Sequence, residues 1–224
     1  MIVLKIKTNI YFSFIAVLLS LYVFIFTKFA EKLKENELEQ FDSAIIQFIQ
    51  GQISDQLTSI MKVLTFFGSI PWFIMAAIAV SIFLVLSHKK RYAVFLLFTS
   101  WTGLVLNLVL KWMFKRERPD LLPIIAENGF SFPSGHSMGS FVFYGALAVI
   151  LVRISKHAFL DWIFGSLCAL IILFIGISRI YLGVHYPSDV IGGFAAGGAW
   201  LTICGLGLRY FEYSFTKKRR GDRR

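Results

Sequence analysis

Residues 159–189 read FLDWIFGSLCALIILFIGISRIYLGVHYPSD. From Phe159 to Ile177 only Asp161 is charged, and then Ser178-Arg179 opens a polar stretch that passes His185 and ends at Asp189. A hydrocarbon core of about 30 Å takes roughly 20 helical residues. The stretch therefore reads as one membrane span with a polar patch at its end. Outward from it, five further apolar runs follow the same rule: Asn9–Phe29, Ile70–Ser87, Tyr92–Leu110, Ser137–Val152 and Val190–Leu208. Unpaired backbone polar groups are intolerable in lipid, so helices are the default. The apolar–polar alternation of a membrane barrel is absent. The expected fold is an all-α integral membrane bundle of six spans, residues 1–208, followed by a basic tail, residues 209–224.

The composition agrees, at 57% hydrophobic with a net charge of +10. That charge is not a nucleic-acid signature, because most of it sits where membrane topology needs it. Lys5 and Lys7 precede the first span, and Lys89, Lys90 and Arg91 join the second to the third. Arg153 and Lys156 join the fourth to the fifth, and the tail holds Lys217, Lys218, Arg219, Arg220, Arg223 and Arg224. Six alternating spans put all of these on one side, the cytoplasmic one, together with both termini. The acidic stretch from Glu31 to Asp55 falls outside. The tail can also bind anionic headgroups of the inner leaflet. Lys111, Lys115, Arg116 and Arg118 break the rule by lying outside, and phosphate binding explains such a cluster.

Other features read plainly. Cys168 and Cys204 fall within spans and pack as small apolar residues, with no disulfide or zinc-ligand spacing. The first span is long and lacks a cleavage site, which makes it an uncleaved anchor. Between spans one and two, Phe41, Ile45, Ile46, Phe48 and Ile49 approach helical spacing, as in a helix lying at the interface. A second piece, Leu57–Phe67, enters the bilayer and lengthens span two.

Three polar patches carry the chemistry. In the first, Lys111 and Arg118 are seven residues apart. On a helix extending span three they share a face, with Lys115 between them. Arg118 offers a planar fork for two phosphate oxygens and Lys111 a compact charge. In the second, Pro133-Ser134-Gly135-His136, Ser134 is an N-cap and Gly135 admits close backbone approach. The helix that follows turns its positive dipole end and free N–H groups outward, as an anion site does. In the third, Gly183 and Pro187 force a tight loop, and His185 and Asp189 stand four apart. A carboxylate–imidazole bond there would fix the tautomer and turn the other ring nitrogen toward substrate. The bland alternatives are snorkelling cations, a loop-to-helix start and a helix cap.

Taken together, Lys111 to Arg118-Pro119, then Pro133-Ser134-Gly135-His136, then Ser178-Arg179 with His185 and Asp189, resemble the type 2 phosphatidic acid phosphatase superfamily. They match its pattern K-x6-RP, PSGH, SR-x5-H-x3-D without departure, over roughly Lys111 to Val190. The resemblance implies that His185 is the nucleophile, becoming a phosphohistidine. It makes Asp189 the group that orients His185, and His136 the acid and then the base. Lys111, Arg118, Ser134, Gly135 and Arg179 would hold the phosphoryl oxygens. No carboxylate cluster suggests magnesium, so no metal or other cofactor is expected.

Length and short outer loops are similar to compact bacterial members of the phosphatidylglycerophosphatase B type. That similarity implies phosphatidylglycerophosphate as substrate, with undecaprenyl diphosphate or phosphatidic acid as alternatives, in a bacterial cell membrane with an extracytoplasmic site. A lipid phosphotransferase, or a channel or transporter with a charged vestibule, are the non-hydrolase alternatives. Neither the lipid nor the oligomeric state is written in any residue.

Overall fold

The computed structural model describes residues 2–119, 123–155 and 157–221, with side chains described from 11 to 214 among them. The side chains of Lys5, Lys7, Lys156, Lys217, Lys218, Arg219, Arg220, Arg223 and Arg224 lie outside that set. The helices are α1 (Ile2–Lys34), α2 (Glu39–Gln50), α3 (Asp55–Phe66), α4 (Ile70–Leu86), α5 (Lys90–Phe114), α6 (Gly135–Ile154), α7 (Ala158–Tyr181) and α8 (Pro187–Gly221). Of these, α1, α5, α6, α7 and α8 are each long and apolar enough to cross a membrane.

The second of the expected spans is a bent pair of helices. Both of its expected pieces are helical, but α3 and α4 meet at 51° rather than forming one rod. The local sequence accounts for the break. Pro71 stands in the first turn of α4, and the Ser69 hydroxyl caps it by accepting from the Trp72 N–H at 3.4 Å. Gly68 fills the elbow because nothing larger fits. A Cβ there would lie 2.5 Å from Ile175 Cγ2 and 3.0 Å from His136 Cδ2.

Helix α6 forms the centre and packs against α5, α7 and α8. Its Ala146, Phe143 and Val142 join Leu96 of α5 and Ile175 of α7 among the buried apolar residues. Small residues let α8 come close: a Cβ on Gly193 would lie 2.8 Å from Ser134 O, and one on Gly197 2.9 Å from Met138 O. Helix α1 lies outside, with the Tyr22 ring against Gly198 of α8.

Three differences from the sequence expectation bear on function. Helix α5 stops at Phe114 because Lys115 takes a left-handed conformation, φ 47°, so Arg116 and Arg118 belong to a loop. Lys115 therefore does not extend a helical face with Lys111, and instead lies 4.9 Å from the Trp112 ring. Helix α8 passes residue 208 without interruption and reaches Gly221, so the sixth span and the start of the tail are one rod. Helix α2 forms where the interfacial helix was expected, yet the residue it buries is not apolar. Phe48 is exposed, whereas Asp42 is 2% exposed.

Candidate active site

All three patches meet at one end of the bundle. The last turn of α7 supplies Arg179, Gly183 at φ +76° reverses the chain, and His185 follows in the turn. Asp189 sits in the first turn of α8 and His136 in the first turn of α6. The Ser134 N–H donates to the Asp189 carbonyl at 3.0 Å, which ties the start of α6 to the start of α8.

His185 and Asp189 are both buried. Nδ1 of His185 lies 3.4 Å from Asp189 Oδ2 and 3.2 Å from Ser131 Oγ. The Ser131 hydroxyl itself donates to Asp189 Oδ2, so its oxygen turns a lone pair toward the ring. Both neighbours thus accept from Nδ1–H, and Nε2 is left with the free electron pair. That atom lies 3.3 Å from Arg118 Nη1. Burial pushes the His185 pKa down from 6.5 to about 3, with Asp189 pulling the other way. The imidazole is neutral near pH 7, as a nucleophile must be.

The cations converge beside it. Arg118 donates from Nη1 to Val184 O at 2.8 Å, from Nε to Gly129 O at 2.9 Å and from Nη2 to Asn128 O at 3.1 Å. Lys111 Nζ donates to Phe130 O, so the loop 127–130 engages Lys111 and Arg118 and, through Glu127, Arg179 as well. Arg179 is almost wholly buried and donates to Thr65 Oγ1. Its Nη2 meets Glu127 as an ion pair, and its Nε makes no hydrogen bond to any described residue. Glu127 also stands 3.6 Å from Arg118 Nη2 and 3.8 Å from His136 Nδ1. A carboxylate thus occupies the centre of the cation cluster, where phosphoryl oxygens would be held.

Ser134 caps α6 as its residue type implies, accepting from Ser137 N–H at 3.3 Å and from Ser137 Oγ at 3.0 Å. Its side chain is buried in that role. Gly135 is the close-approach position, where a Cβ would lie 3.1 Å from Asn107 Oδ1.

Sequence reasoning missed Ser131, Glu127 and Asp42, and it placed Arg116 with the wrong partners. Arg116 turns away from the cation cluster and binds two carboxylates, Asp189 Oδ1 at 2.7 Å and Asp42 Oδ2 at 2.8 Å. The signal that could have been followed was an unpaired acid, Asp42, on the apolar-patterned helix.

A cavity of about 630 Å³ opens from this site along α4, α5 and α6. Lys111, Arg118, Gly135 and His136 line its polar end, and Ile78, Trp101 and Leu104 are among the residues lining the apolar remainder. The sequence matches the PAP2 superfamily over residues 91–212, more than half of the chain and every one of the three patches. The chain belongs to the PAP2 superfamily. Among PAP2 relatives, it is 33% identical to phosphatidylglycerophosphatase B of Bacillus subtilis (strain 168) over 182 residues, 80% of this chain and 88% of that one. It is 30% identical over 138 residues to undecaprenyl-diphosphatase BcrC of the same strain, 57% of this chain and 61% of that one. The crystal structure of a transmembrane PAP2-type phosphatidylglycerolphosphate phosphatase from Bacillus subtilis superposes with a TM-score of 0.80 at 27% identity. That superposition covers 88% of this chain and 96% of the other. The PAP2 match leaves α1 to α4, and so Asp42, outside its bounds.

Proposed function

We propose that this protein is a membrane lipid phosphatase that hydrolyses phosphatidylglycerophosphate to phosphatidylglycerol and inorganic phosphate at the outer face of a bacterial cell membrane. The observation that carries the reading is the continuity of the cavity. Its cationic end takes a phosphate, and its apolar remainder lies among spans, where a lipid chain stays out of water. Charge supports the outer placement: Lys89, Lys90, Arg91 and Arg153 cluster at a single place of their own, away from the site.

The residues divide the reaction into two steps. The Nε2 lone pair of His185 attacks phosphorus while the bond from phosphorus to the lipid oxygen breaks. Burial, with Lys111 and Arg118 nearby, lowers the His136 pKa from 6.5 to about 4. His136 therefore takes its proton from a monoanionic phosphate ester as the ester binds, and gives it to the departing lipid oxygen. Lys111, Arg118 and Arg179 hold the three remaining phosphoryl oxygens. The Gly135 N–H at the start of α6 adds a donor, with Ser134 fixing the turn. The positive charge on the phosphorylated imidazole is balanced by Asp189 through Nδ1–H. His136, now neutral, takes a proton from water as the water oxygen attacks phosphorus. The P–N bond breaks, releasing phosphate and neutral His185.

Undecaprenyl diphosphate is the second reading, favoured by the same cavity: neither the cations nor the apolar wall distinguishes a glycerophosphate from a diphosphate head. Purified protein assayed for phosphate release from both lipids and phosphatidic acid, in one detergent system with chelator present, decides between them. The specificity constant is expected to be highest for phosphatidylglycerophosphate. Preference for undecaprenyl diphosphate would reassign the substrate, and inactivity toward all three would end the phosphatase reading.

A further inference from the structure

Asp42 is the most deeply buried residue of α2, and it lies outside the residues matched by the family. A carboxylate so placed is costly unless it is paired and hydrogen-bonded. Its Oδ1 accepts from the Ser188 N–H at 2.8 Å. Its Oδ2 accepts from Ser188 Oγ at 2.7 Å and from Arg116 Nη2 at 2.8 Å. The other terminal nitrogen of Arg116, Nη1, donates to Asp189 Oδ1 at 2.7 Å and to Ser188 Oγ at 2.7 Å. The guanidinium rests on the Tyr186 ring, 3.9 Å from its centroid. Asp189 therefore spends one oxygen on Arg116 and the other on the imidazole side.

We infer that Asp42 and Arg116 are positioning residues for the nucleophile: Asp42 aims Arg116, and Arg116 fixes the plane of the Asp189 carboxylate that orients His185. The inference rests on the reading of His185 as nucleophile. Geometry and charge both support it. The Asp189 carboxylate is held at both ends, Oδ2 by Ser131 and by the Tyr186 N–H at 2.9 Å and Oδ1 by Arg116. Arg116 thus completes the fixing of its plane against Nδ1–H, and Nε2 keeps its aim. Two carboxylates share one guanidinium, so this triad carries a net charge of −1 on the Nδ1 side of the imidazole. That charge is balanced when Nε2 bonds phosphorus and the ring becomes cationic. A helix on the outer surface thereby becomes part of the catalytic apparatus, through a pair 74 residues apart in sequence.

The test uses the full chain in detergent, with Asp42→Asn, Arg116→Lys, Arg116→Gln and Asp42→Asn/Arg116→Gln. Turnover, KM and trapped phosphoenzyme are measured with a lipid phosphate that the wild type hydrolyses, alongside thermal unfolding. Misaiming the nucleophile should lower kcat about tenfold to a hundredfold, with KM within twofold because neither residue touches phosphate. Arg116→Lys keeps the charge and should retain more activity than Arg116→Gln. The double variant should be no slower than Arg116→Gln alone, since Asp42 acts through Arg116. Gln50→Ala removes the 3.3 Å bond from α2 to the Ile180 carbonyl and loosens the helix elsewhere, with activity kept.

Three outcomes would overturn the inference: folded Asp42→Asn and Arg116→Lys within twofold of wild-type kcat, a raised KM at normal kcat, or a Gln50→Ala loss equal to that of Asp42→Asn. If Asp42→Asn does not fold, Arg116→Lys decides alone by the same limits. Failure of the nucleophile reading is separate, because it appears as a phosphoenzyme that still forms in His185→Ala.

Discussion

The Glu127 carboxylate stands 3.8 Å from Nδ1 of His136, inside the ring of cations. It competes with any anion that enters. Partly exposed ion pairs are worth about 0.2–1 kcal/mol, so Glu127→Gln should tighten vanadate inhibition roughly twofold to fivefold. An inhibition constant that is unchanged or weaker would mean that Glu127 leaves the cations before the anion arrives.

The two histidines should fail differently. His185→Ala removes the attacking atom, and no phosphoenzyme should be trapped. His136→Ala removes the proton donor, costing roughly a hundredfold or more with alkyl phosphates and much less with aryl phosphates, whose oxygen leaves without help. Comparing the two variants on both ester classes checks the assignment. Equal losses on both esters in His136→Ala would remove it from the acid role.

The acid side of the pH profile follows from His185. Its pKa is lowered from 6.5 to about 3 by burial, so the neutral, attacking form persists as pH falls. An imidazole with the ordinary value of 6.5 would lose about 25-fold of its neutral form between pH 7 and pH 5. Phosphoenzyme formation from an aryl phosphate, measured in the pre-steady state, should instead change little over that interval. The same shift sets a stability trend. The folded pKa lies below the unfolded one, so this contribution is complete above pH 6.5 and is lost as pH falls from there toward about 3.

Chain recognition should separate from phosphate recognition. Leu104→Trp places an indole in the apolar part of the cavity. The KM for a long-chain lipid phosphate should rise roughly tenfold, while that for a dihexanoyl analogue stays near wild type. Parallel increases for both would show that the cavity does not hold the chains.

Topology is open to labelling in intact cells. A cysteine replacing Asn128 should react with an impermeant thiol reagent, and one replacing Lys90 should be shielded. Cys168 and Cys204 are buried and add little background. Reversed labelling would move the site to the inner face.

How much of this was legible depended on distance along the chain. The His185–Asp189 contact spans four residues across the turn into α8, so residue spacing was enough to expect it. The cap at Ser134 is equally local, and the spans follow from apolar length alone. Span ends were less legible. Helix α7 keeps Arg179 inside its last turn, where an apolar count stops at Ile177, because tertiary partners supply what lipid cannot. Arg116 was grouped with the phosphate-binding cations because its charge was visible and its partners were not. Those partners lie 73 and 74 residues away, on helices whose docking no local pattern encodes. Asp42 escaped for the same reason: amphipathic patterning assigns a carboxylate to the wet face.

The elbow between α3 and α4 has a further consequence. Gly68 leaves no room for a methyl group between Ile175 and the His136 ring, so the bend between α3 and α4 rests directly on His136, the proposed proton donor. Broken spans adjust to bilayers of different thickness by changing their angle. A change in the 51° bend would press on Ile175 and on the His136 ring together. A substitution that opened or closed this bend would therefore reach the proposed acid from outside all three polar patches, through packing and not through charge.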